Sequence, residues 1–322
     1  MKASAVAHPI QGLVKYHGMR DRVLRLPYHD SISVCTAPLH TLTTIEFNEA
    51  FPADDFIVND RRLPSSHEYQ RILSIINRLR VLAGSSMHCH LVSKNSFPTN
   101  IGLGASASAF ASIAVAGASA LGLQMDHQAL SRVARLGAGS ASRAVAGGFA
   151  RWIAGNSDET SYAYQIASPS DLPLGIVIAV IEHFKSTEDA HAEVETSPFF
   201  SARVIQAQKQ AEEAEKLLRG RNRDALLQLV EYDTLCLHAV TMTGRGGLLL
   251  WRPDTIRVID TVKQLREEGF PAWFSIDTGA SVYINTHPEH VELVETRIRA
   301  LGLRTYRGTV GDAAQPVEDH LF

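Results

Sequence analysis

A glycine- and serine-rich segment joins the features of an anion-binding loop to those of a helix start. It reads SFPTNIGLGASAS, from Ser96 to Ser108. Gly102 and Gly104 permit positive φ and a close approach of a ligand to main-chain N–H groups, and Ser106 adds a hydroxyl donor, as Ser108 does. The free N–H groups and the dipole of a following helix favour an anion. The segment predicts a phosphate site; a tightly packed helix with an ordinary cap is the alternative.

Three charged residues elsewhere could supply acid–base or anion chemistry. Asp277 ends an apolar strand pattern and meets a glycine turn, where a carboxylate can be held rigidly as a base or metal ligand. Lys15 ends another such pattern, where an ammonium could meet phosphate. Arg143 stands beside Ser140 and Ser142, and a guanidinium fork flanked by hydroxyls suits a carboxylate or phosphate. Taken alone, each also fits an ordinary role: a turn Asp, a strand-edge Lys or a loop Arg.

The elements that must position these residues alternate between strands and helices. Periodicity and capping signals predict strands at 32–34, 41–47, 88–92, 174–181, 272–277, 282–285 and 303–310. They predict helices from about Ser66, where Ser65 and Glu68 have capping-box spacing, at 105–121, from Asp126 to Gly137, at 200–218, at 225–242 and from Pro288. The second half therefore indicates an α+β lobe with helices on one face of a mostly antiparallel sheet. We place the boundary near residue 170, giving lobes 1–170 and 171–322.

Composition narrows the class of protein. The 322 residues are 45% apolar and 20% charged, which is ordinary for a globular chain of one large or two smaller domains. A formal net charge of −3 excludes a generally basic nucleic-acid binder. The sequence offers neither a signal-peptide core nor an apolar run long enough to span a membrane. The cysteines are widely spaced, at Cys35, Cys89 and Cys236, so we expect neither a disulfide framework nor a zinc site. We expect a reduced, cytoplasmic protein.

Five segments, in chain order, resemble the GHMP kinase superfamily and within it the mevalonate diphosphate decarboxylase branch. LVKYHGMRD resembles a family strand ending in Lys-Tyr-Trp-Gly-Lys, and SISVCT with TLTTIEF resembles the next strand pair. NSFPTNIGLGASASAFA resembles a Phe-Pro-Thr loop with Gly-Leu-Ala-Ser-Ser. ARLGAGSASRAVAGGFARW resembles Leu-Gly-Ser-Gly-Ser-Ala-x-Arg before Gly-Gly-Phe, and WFSIDTGASVYI resembles the strand that carries the catalytic Asp. The resemblance covers nearly the whole chain.

The resemblance implies a fold and a reaction. The fold would be the two-lobed α+β GHMP kinase fold, with an N-terminal ribosomal-protein-S5-like lobe and a C-terminal ferredoxin-like lobe. In the family reaction ATP phosphorylates the tertiary hydroxyl of a phosphorylated mevalonate, and loss of phosphate and CO2 leaves an alkene. ATP and Mg²⁺ would be the cofactors, and the protein would be a homodimer with no nucleic-acid or membrane partner.

The resemblance also implies roles for the catalytic candidates. Asp277 would be the base or the orienting carboxylate at the tertiary hydroxyl, and Lys15 would stabilise charge at the transferring phosphoryl group. Arg143 would bind the substrate carboxylate, with Ser140 beside the hydroxyl. Tyr16 would line the pocket for the substrate phosphate.

Two sets of ligand contacts follow from the same resemblance. Ser186 loosely matches a family serine in the substrate-phosphate pocket. The ATP phosphates, bridged by Mg²⁺, would be held by four residues of the glycine-rich segment: Gly102, Gly104, Ser106 and Ser108.

Departures from the family pattern bear on the substrate. The family's Trp-Gly-Lys is His17-Gly18-Met19 here, so a cation near the substrate's phosphate end is missing. Ala105 replaces the first loop serine, and the segment after Ser186 is acidic and lacks the family's Gly-Met. One fewer cation suits a less charged ligand, so we predict mevalonate 5-phosphate as substrate and isopentenyl phosphate as product.

Four alternatives stay open at this point. The chain could be a mevalonate 5-diphosphate decarboxylase, a kinase that only phosphorylates the tertiary hydroxyl, or an enzyme of ATP-independent elimination. From another class, it could be a catalytically silent GHMP-fold binding protein.

Overall fold

The protein is an α+β structure built on two sheets. It is described by a computed structural model over residues 1–98, 103–182 and 187–322. The strands are β1 (Lys2–Ala7), β2 (Ile10–Val14), β3 (Ser31–Ala37), β4 (Thr41–Asn48), β5 (Asp55–Val58), β6 (Arg61–Arg62), β7 (His88–Asn95), β8 (Phe149–Trp152), β9 (Ala163–Ala167), β10 (Gly175–Val180), β11 (Ala272–Ser275), β12 (Val282–Thr286), β13 (Arg304–Val310) and β14 (Gln315–Val317).

The helices cover these sheets. They are α1 (His67–Ala83), α2 (Ala105–Ala120), α3 (His127–Gly137), α4 (Ala141–Ala146), α5 (Thr187–Val194), α6 (Phe200–Arg219), α7 (Arg223–Met242), α8 (Pro253–Glu267) and α9 (Val291–Arg299). None of the helices within the described ranges has the length and apolar composition needed to traverse a bilayer.

The first sheet has the strand order β14-β1-β4-β7-β5-β6 and carries α2 against β1 and β4. Nearly every side chain of α2 after its first turn is small or apolar and buried, so the helix can lie close to the sheet. Two of its hydroxyls are satisfied inside that interface: Ser108 bonds to Thr41 at 2.6 Å and Ser112 to Thr43 at 2.7 Å. This packing fixes where the N-terminus of α2 points.

The second sheet runs through both halves of the chain, in the order β11-β12-β10-β13-β3-β8-β9, with β2 paired to β3. Its halves meet where β13 pairs with β3, at Thr309–Ala37 and Val310–Thr36. The boundary that we predict near residue 170 stays a prediction, and it falls between strands of one continuous sheet.

The prediction that helices cover one face of this sheet is wrong. Ile176 and Ile178 of β10 pack with the apolar faces of α6 and α7, whereas Val177 and Ala179 pack with those of α8 and α9. The reason is that β10 is apolar at every position, a pattern typical of a strand buried on both sides.

Most predicted elements are confirmed, and one local prediction is wrong. Asp126 caps α3 by accepting from the N–H of Ala129 at 2.8 Å, as expected. Helix α1, however, is capped by Ser66, whose hydroxyl accepts from the N–H of Tyr69, and not by a box that begins at Ser65. The stretch around Arg143, which could have been a flexible loop, forms the short buried helix α4.

A buried ion pair stabilises the packing of α3, which lies against α4. Arg135 is fully buried on α3 and contacts Asp158 at 2.5 Å, and it also donates to the carbonyls of Leu24 and Ser161. The hydroxyl of Ser161 in turn accepts from the indole N–H of Trp152 at 3.0 Å. Burial lowers the pKa of the Arg135 guanidinium, and the charge of Asp158 opposes that effect.

We predict that Asp158→Asn lowers the free energy of unfolding by about 3–5 kcal/mol, because it leaves a buried guanidinium without its counter-charge. Urea unfolding followed by circular dichroism measures the change. The control is Asp254→Asn, which removes an exposed contact with Arg257 and should cost about 0.5 kcal/mol or less. Equal effects of the two substitutions would contradict the role given to Arg135.

Candidate active site

The carboxylate of Asp277 is held by a main-chain donor from a distant part of the chain. Asp277 lies just beyond the end of β11 and is half-buried. Both of its carboxylate oxygens lie 3.1 Å from the N–H of Gly12, in β2. An N–H group that bonds to the charged carboxylate stabilises it and fixes its position. The carboxylate of Asp277 is therefore tied to β2, which agrees with a fixed position beyond its strand.

Gly12 is required at this contact because the space for a side chain is already filled. A Cβ at Gly12 would lie 2.8 Å from Cγ of Lys15 and 3.0 Å from Oδ1 of Asp277. The pairing of β2 with β3 also shifts register between Gly12 and Val14. Such an irregularity re-aims the residues that follow it. The sequence analysis missed Gly12, since a lone glycine in an apolar strand gives no signal of what approaches it.

Lys15 follows β2 and buries its ammonium beside this carboxylate. The side chain is 4% exposed, and Nζ donates to the hydroxyls of Thr234 at 3.0 Å and Ser275 at 2.8 Å. Burial lowers the pKa of Lys15, while the charges of Asp277 and Asp233 act in the opposite direction. Lys15 forms no ion pair with the carboxylates of the described residues, so no carboxylate oxygen there neutralises its ammonium by direct contact.

Two buried residues of the long helices hold the Lys15 backbone. Asp233 on α7 accepts from the N–H of Lys15 at 2.9 Å. Arg203 on α6 donates to the Lys15 carbonyl at 2.9 Å and contacts Asp233 at 2.6 Å. The sequence analysis missed both residues, because they lie about 200 positions from Lys15 and stand in helices with no motif.

Arg143 presents a second buried cation. The side chain is 3% exposed; its guanidinium carbon lies 5.3 Å from the ring of Tyr16 and 5.8 Å from that of Trp152, and one terminal nitrogen donates to Ser31. Nε has no hydrogen-bond partner among the described residues, and no carboxylate there pairs with the guanidinium. Burial lowers the pKa of Arg143, and Tyr16 and Asp277 oppose it. This arrangement suits an anionic ligand.

Ser140 and Tyr16 complete the side of the cleft around Arg143. Ser140 stands at the N-terminus of α4, three residues before Arg143, and its hydroxyl makes no capping bond. The hydroxyl of Tyr16 lies so close to Gly139 that a Cβ there would be 2.4 Å away. The Tyr16 ring also contacts His191, with centroids 5.2 Å apart. Lys15, Tyr16, Arg143 and Asp277 lie near one another, since the charges of Asp277 and Arg143 act on Lys15 and those of Asp277 and Tyr16 act on Arg143. Ser140 stands three residues before Arg143, and the roles of all five residues stay predictions.

The N-terminus of α2 approaches the same strand from the other end. Gly104 caps the helix with φ of 68°, and a Cβ there would lie 2.6 Å from the carbonyl oxygen of Ile10. The first turn of α2 holds no acidic side chain, and no side chain caps it. Along β2, Ile10 and Gly12 are about 7 Å apart, so the helix N-terminus and the Asp277 carboxylate are close neighbours.

The other predicted phosphate contacts, besides Gly104, fall into three groups. Ser106 is exposed in the first turn of α2. Ser108 differs from the prediction: its hydroxyl is fully buried and bonds to Thr41 and to the carbonyl of Ala105, because it lies on the face of α2 that packs on the sheet. Gly102 and Ser186 lie outside the described residues.

No group of three or more His, Cys, Asp or Glu side chains is placed to hold a metal ion in the part of the chain that the structure describes.

Comparisons with known sequences show the family of this chain. The sequence model of the diphosphomevalonate decarboxylase-like N-terminal domain matches residues 7–163. A phosphomevalonate decarboxylase of Haloferax volcanii is 45% identical over 320 residues, which cover 99% of this chain and 98% of the relative. A diphosphomevalonate decarboxylase of Candida albicans is 31% identical over 304 residues, covering 88% and 84%.

Solved structures match the whole fold. The mevalonate diphosphate decarboxylase of Staphylococcus aureus has a TM-score of 0.91 at 29% identity over 98% of each chain. A structure described as MDDEF in complex with MVAPP, AMPPCP and magnesium has a TM-score of 0.91 at 28% identity over 99% of each chain. The predicted two-lobed GHMP kinase fold is confirmed. The chain belongs to the diphosphomevalonate decarboxylase-like family, among whose members are phosphomevalonate and diphosphomevalonate decarboxylases.

Proposed function

We propose that this protein is an ATP-dependent decarboxylase that converts mevalonate 5-phosphate to isopentenyl phosphate. The observation that carries the proposal is the carboxylate of Asp277, fixed by Gly12 beside the two buried cations Lys15 and Arg143. The full-length likeness to a relative named phosphomevalonate decarboxylase supports this substrate.

Asp277 and Lys15 serve the phosphoryl transfer. The carboxylate accepts or orients the proton of the tertiary hydroxyl of the substrate. The oxygen of that hydroxyl bonds to the γ-phosphorus of ATP as ADP leaves. The ammonium of Lys15 stabilises the negative charge of the phosphoryl group in transit. The Gly12 N–H keeps the carboxylate in one position, so that little reorganisation is needed at the moment of reaction.

Arg143 and Ser140 serve the elimination. The guanidinium binds the substrate carboxylate, for which a planar fork is well suited. When the C–O bond to phosphate breaks, the electron pair of the C–CO2 bond forms the alkene and CO2 departs. Ser140, three residues away on the same helix start, lies beside the hydroxyl that becomes the leaving group.

The N-terminus of α2 fits the nucleotide phosphates. Its first turn has an exposed hydroxyl at Ser106 and no acidic side chain, and Gly104 leaves no room for a Cβ at its base. Main-chain N–H groups at a helix start bind phosphate oxygens. Magnesium would be held there chiefly by the phosphates themselves, whose charge it offsets. Gly102 and Ser186 stay predictions, as do the homodimer and the cytoplasmic location.

A cleft beside this helix start suits the nucleoside part of ATP. Its volume is about 360 Å³, and it combines apolar and amide side chains at the end of β7. The lining residues are Asn59, Asp60, Lys94, Asn95, Phe97 and Pro98.

We predict a higher kcat/KM for mevalonate 5-phosphate than for mevalonate 5-diphosphate, with one CO2 and one ADP released per turnover and none without ATP. Coupled assays of both products measure this. A higher value for the diphosphate would assign the diphosphate decarboxylase activity. ADP without CO2 would indicate a kinase, CO2 without ATP an ATP-independent elimination, and no turnover a binding protein.

We predict that Asp277→Asn lowers kcat by at least about two orders of magnitude, because the amide cannot take up the proton. CO2 release under saturating substrate and ATP measures the loss. Asp260→Asn, on the exposed side of α8, is the control and should keep the activity of the unchanged protein. A variant of Asp277 that keeps a tenth of the rate would contradict the assigned role.

We predict that Gly12→Ala lowers kcat on the order of 100-fold, because the added methyl group displaces the Asp277 carboxylate. The unfolding free energy should change by about 1 kcal/mol. Gly269→Ala is the matched control: it places alanine at φ of 90° in open space, before the start of β11, whereas Asp277 follows its end. It should cost similar stability and leave kcat unchanged. Parallel losses of rate in both variants would argue against a local effect.

A further inference from the structure

Helix α5 and the turn that ends it bind the main chain of the segment that follows Lys15. Nδ1 of His191 accepts from the N–H of Gly18 at 3.1 Å, and Oε1 of Glu195 accepts from the N–H of Met19 at 2.9 Å. His191 and Glu195 are four residues apart, so they lie on the same side of α5 and the turn that ends it. The two acceptors thus bind two consecutive main-chain donors.

These two N–H groups have the geometry of an anion cradle. Consecutive main-chain donors next to a residue with positive φ form concavities that bind phosphate, and Gly18 has φ of 83°. Here a histidine nitrogen and a carboxylate oxygen occupy the donors instead. Phe200 packs so closely that a Cβ on Gly18 would lie 2.8 Å from its ring. The cradle is therefore filled by the protein's own side chains.

The charge of the wall formed by Met19 and Glu195 also disfavours an anion. Met19 is buried and contributes no charge, and Glu195, half-buried against it, contributes a negative one. The wall adjoins the substrate side of the cleft, because His191 contacts the rings of both Tyr16 and His17 at 5.2 Å. A ligand that reached past Tyr16 with a second phosphate would meet a carboxylate and occupied donors.

We propose that Glu195 is a specificity-determining residue that disfavours substrates with a second phosphate at this end. The proposal rests on the proposed function, which puts the substrate's phosphate end at Tyr16. A single phosphate stops short of the wall, whereas the outer phosphate of a diphosphate is repelled by the carboxylate. The selectivity is thus electrostatic and arises from the turn that ends α5, which is distant in sequence from Tyr16.

The test separates the charge of Glu195 from its hydrogen bond. Glu195→Gln keeps an oxygen that can accept from Met19 and removes the negative charge. The control is Glu193→Gln in the last turn of α5, two residues before Glu195; the Glu193 carboxylate instead accepts from the N–H groups of Gly246 and Gly247. Met19→Lys is a second variant, which offsets the same charge with a cation. Each protein is assayed with the monophosphate and the diphosphate, and the dissociation constant of the diphosphate is measured by calorimetry.

For Glu195→Gln we expect the ratio of kcat/KM for diphosphate to that for monophosphate to rise about tenfold, as expected for one removed charge at short range. Met19→Lys should move the ratio and the diphosphate affinity in the same direction, and Glu193→Gln should leave the ratio unchanged. An equal shift in both glutamate variants, or no shift in either Glu195→Gln or Met19→Lys, would overturn the role of Glu195 while leaving the decarboxylase assignment intact. If the unchanged protein turned over neither substrate, the proposed function and this inference would fall together.

Discussion

The hydrogen bond between Gly12 and Asp277 is the constraint on which the site depends. It joins residues 265 positions apart, so it forms only when β2 has been placed beside the end of β11. The glycine at position 12 and the register shift that follows it leave room for the carboxylate and direct Lys15 towards the same point. The N-terminus of α2 rests on the same strand at Ile10. Strand β2 thus sets the spacing between the N-terminus of α2 and the carboxylate of Asp277.

Positive charge in the cleft is maintained at a cost in desolvation. Lys15 and Arg143 are both buried, and burial lowers the pKa of each. The protein offsets part of that cost with hydroxyl acceptors, with aromatic faces around Arg143, and with the nearby charge of Asp277. It does not offset it with a direct ion pair to either residue from the described part of the chain. The positive charge that remains uncompensated favours phosphate and carboxylate ligands, which supply negative charge when they bind.

Sequence reasoning could find the residues that carry local signals. Asp277 before its glycine turn, Lys15 at a strand end and the small-residue helix α2 are each readable within about ten residues. Gly12, Asp233 and Arg203 were out of reach, because their meaning lies in contacts across more than 180 positions. Ser108 shows the opposite difficulty. Its position in the motif suggests a contact with phosphate, but the 3.6-residue period of the helix places its side chain on the buried face, against Thr41. Helices on both faces of the second sheet follow from β10, whose unbroken apolar run leaves no polar face for water.

The continuity of the second sheet limits how this protein can select a ligand. Because β13 bonds directly to β3, the two halves of the chain cannot swing apart about a hinge near residue 170 without tearing a β-ladder. Enzymes with separable lobes can reject a wrong substrate by failing to close over it. The ladder between β13 and β3 opposes a hinge of that kind. The side chains and charges already in place around Asp277, Lys15 and Arg143 therefore carry more of the selection than they would in a protein whose lobes separate freely.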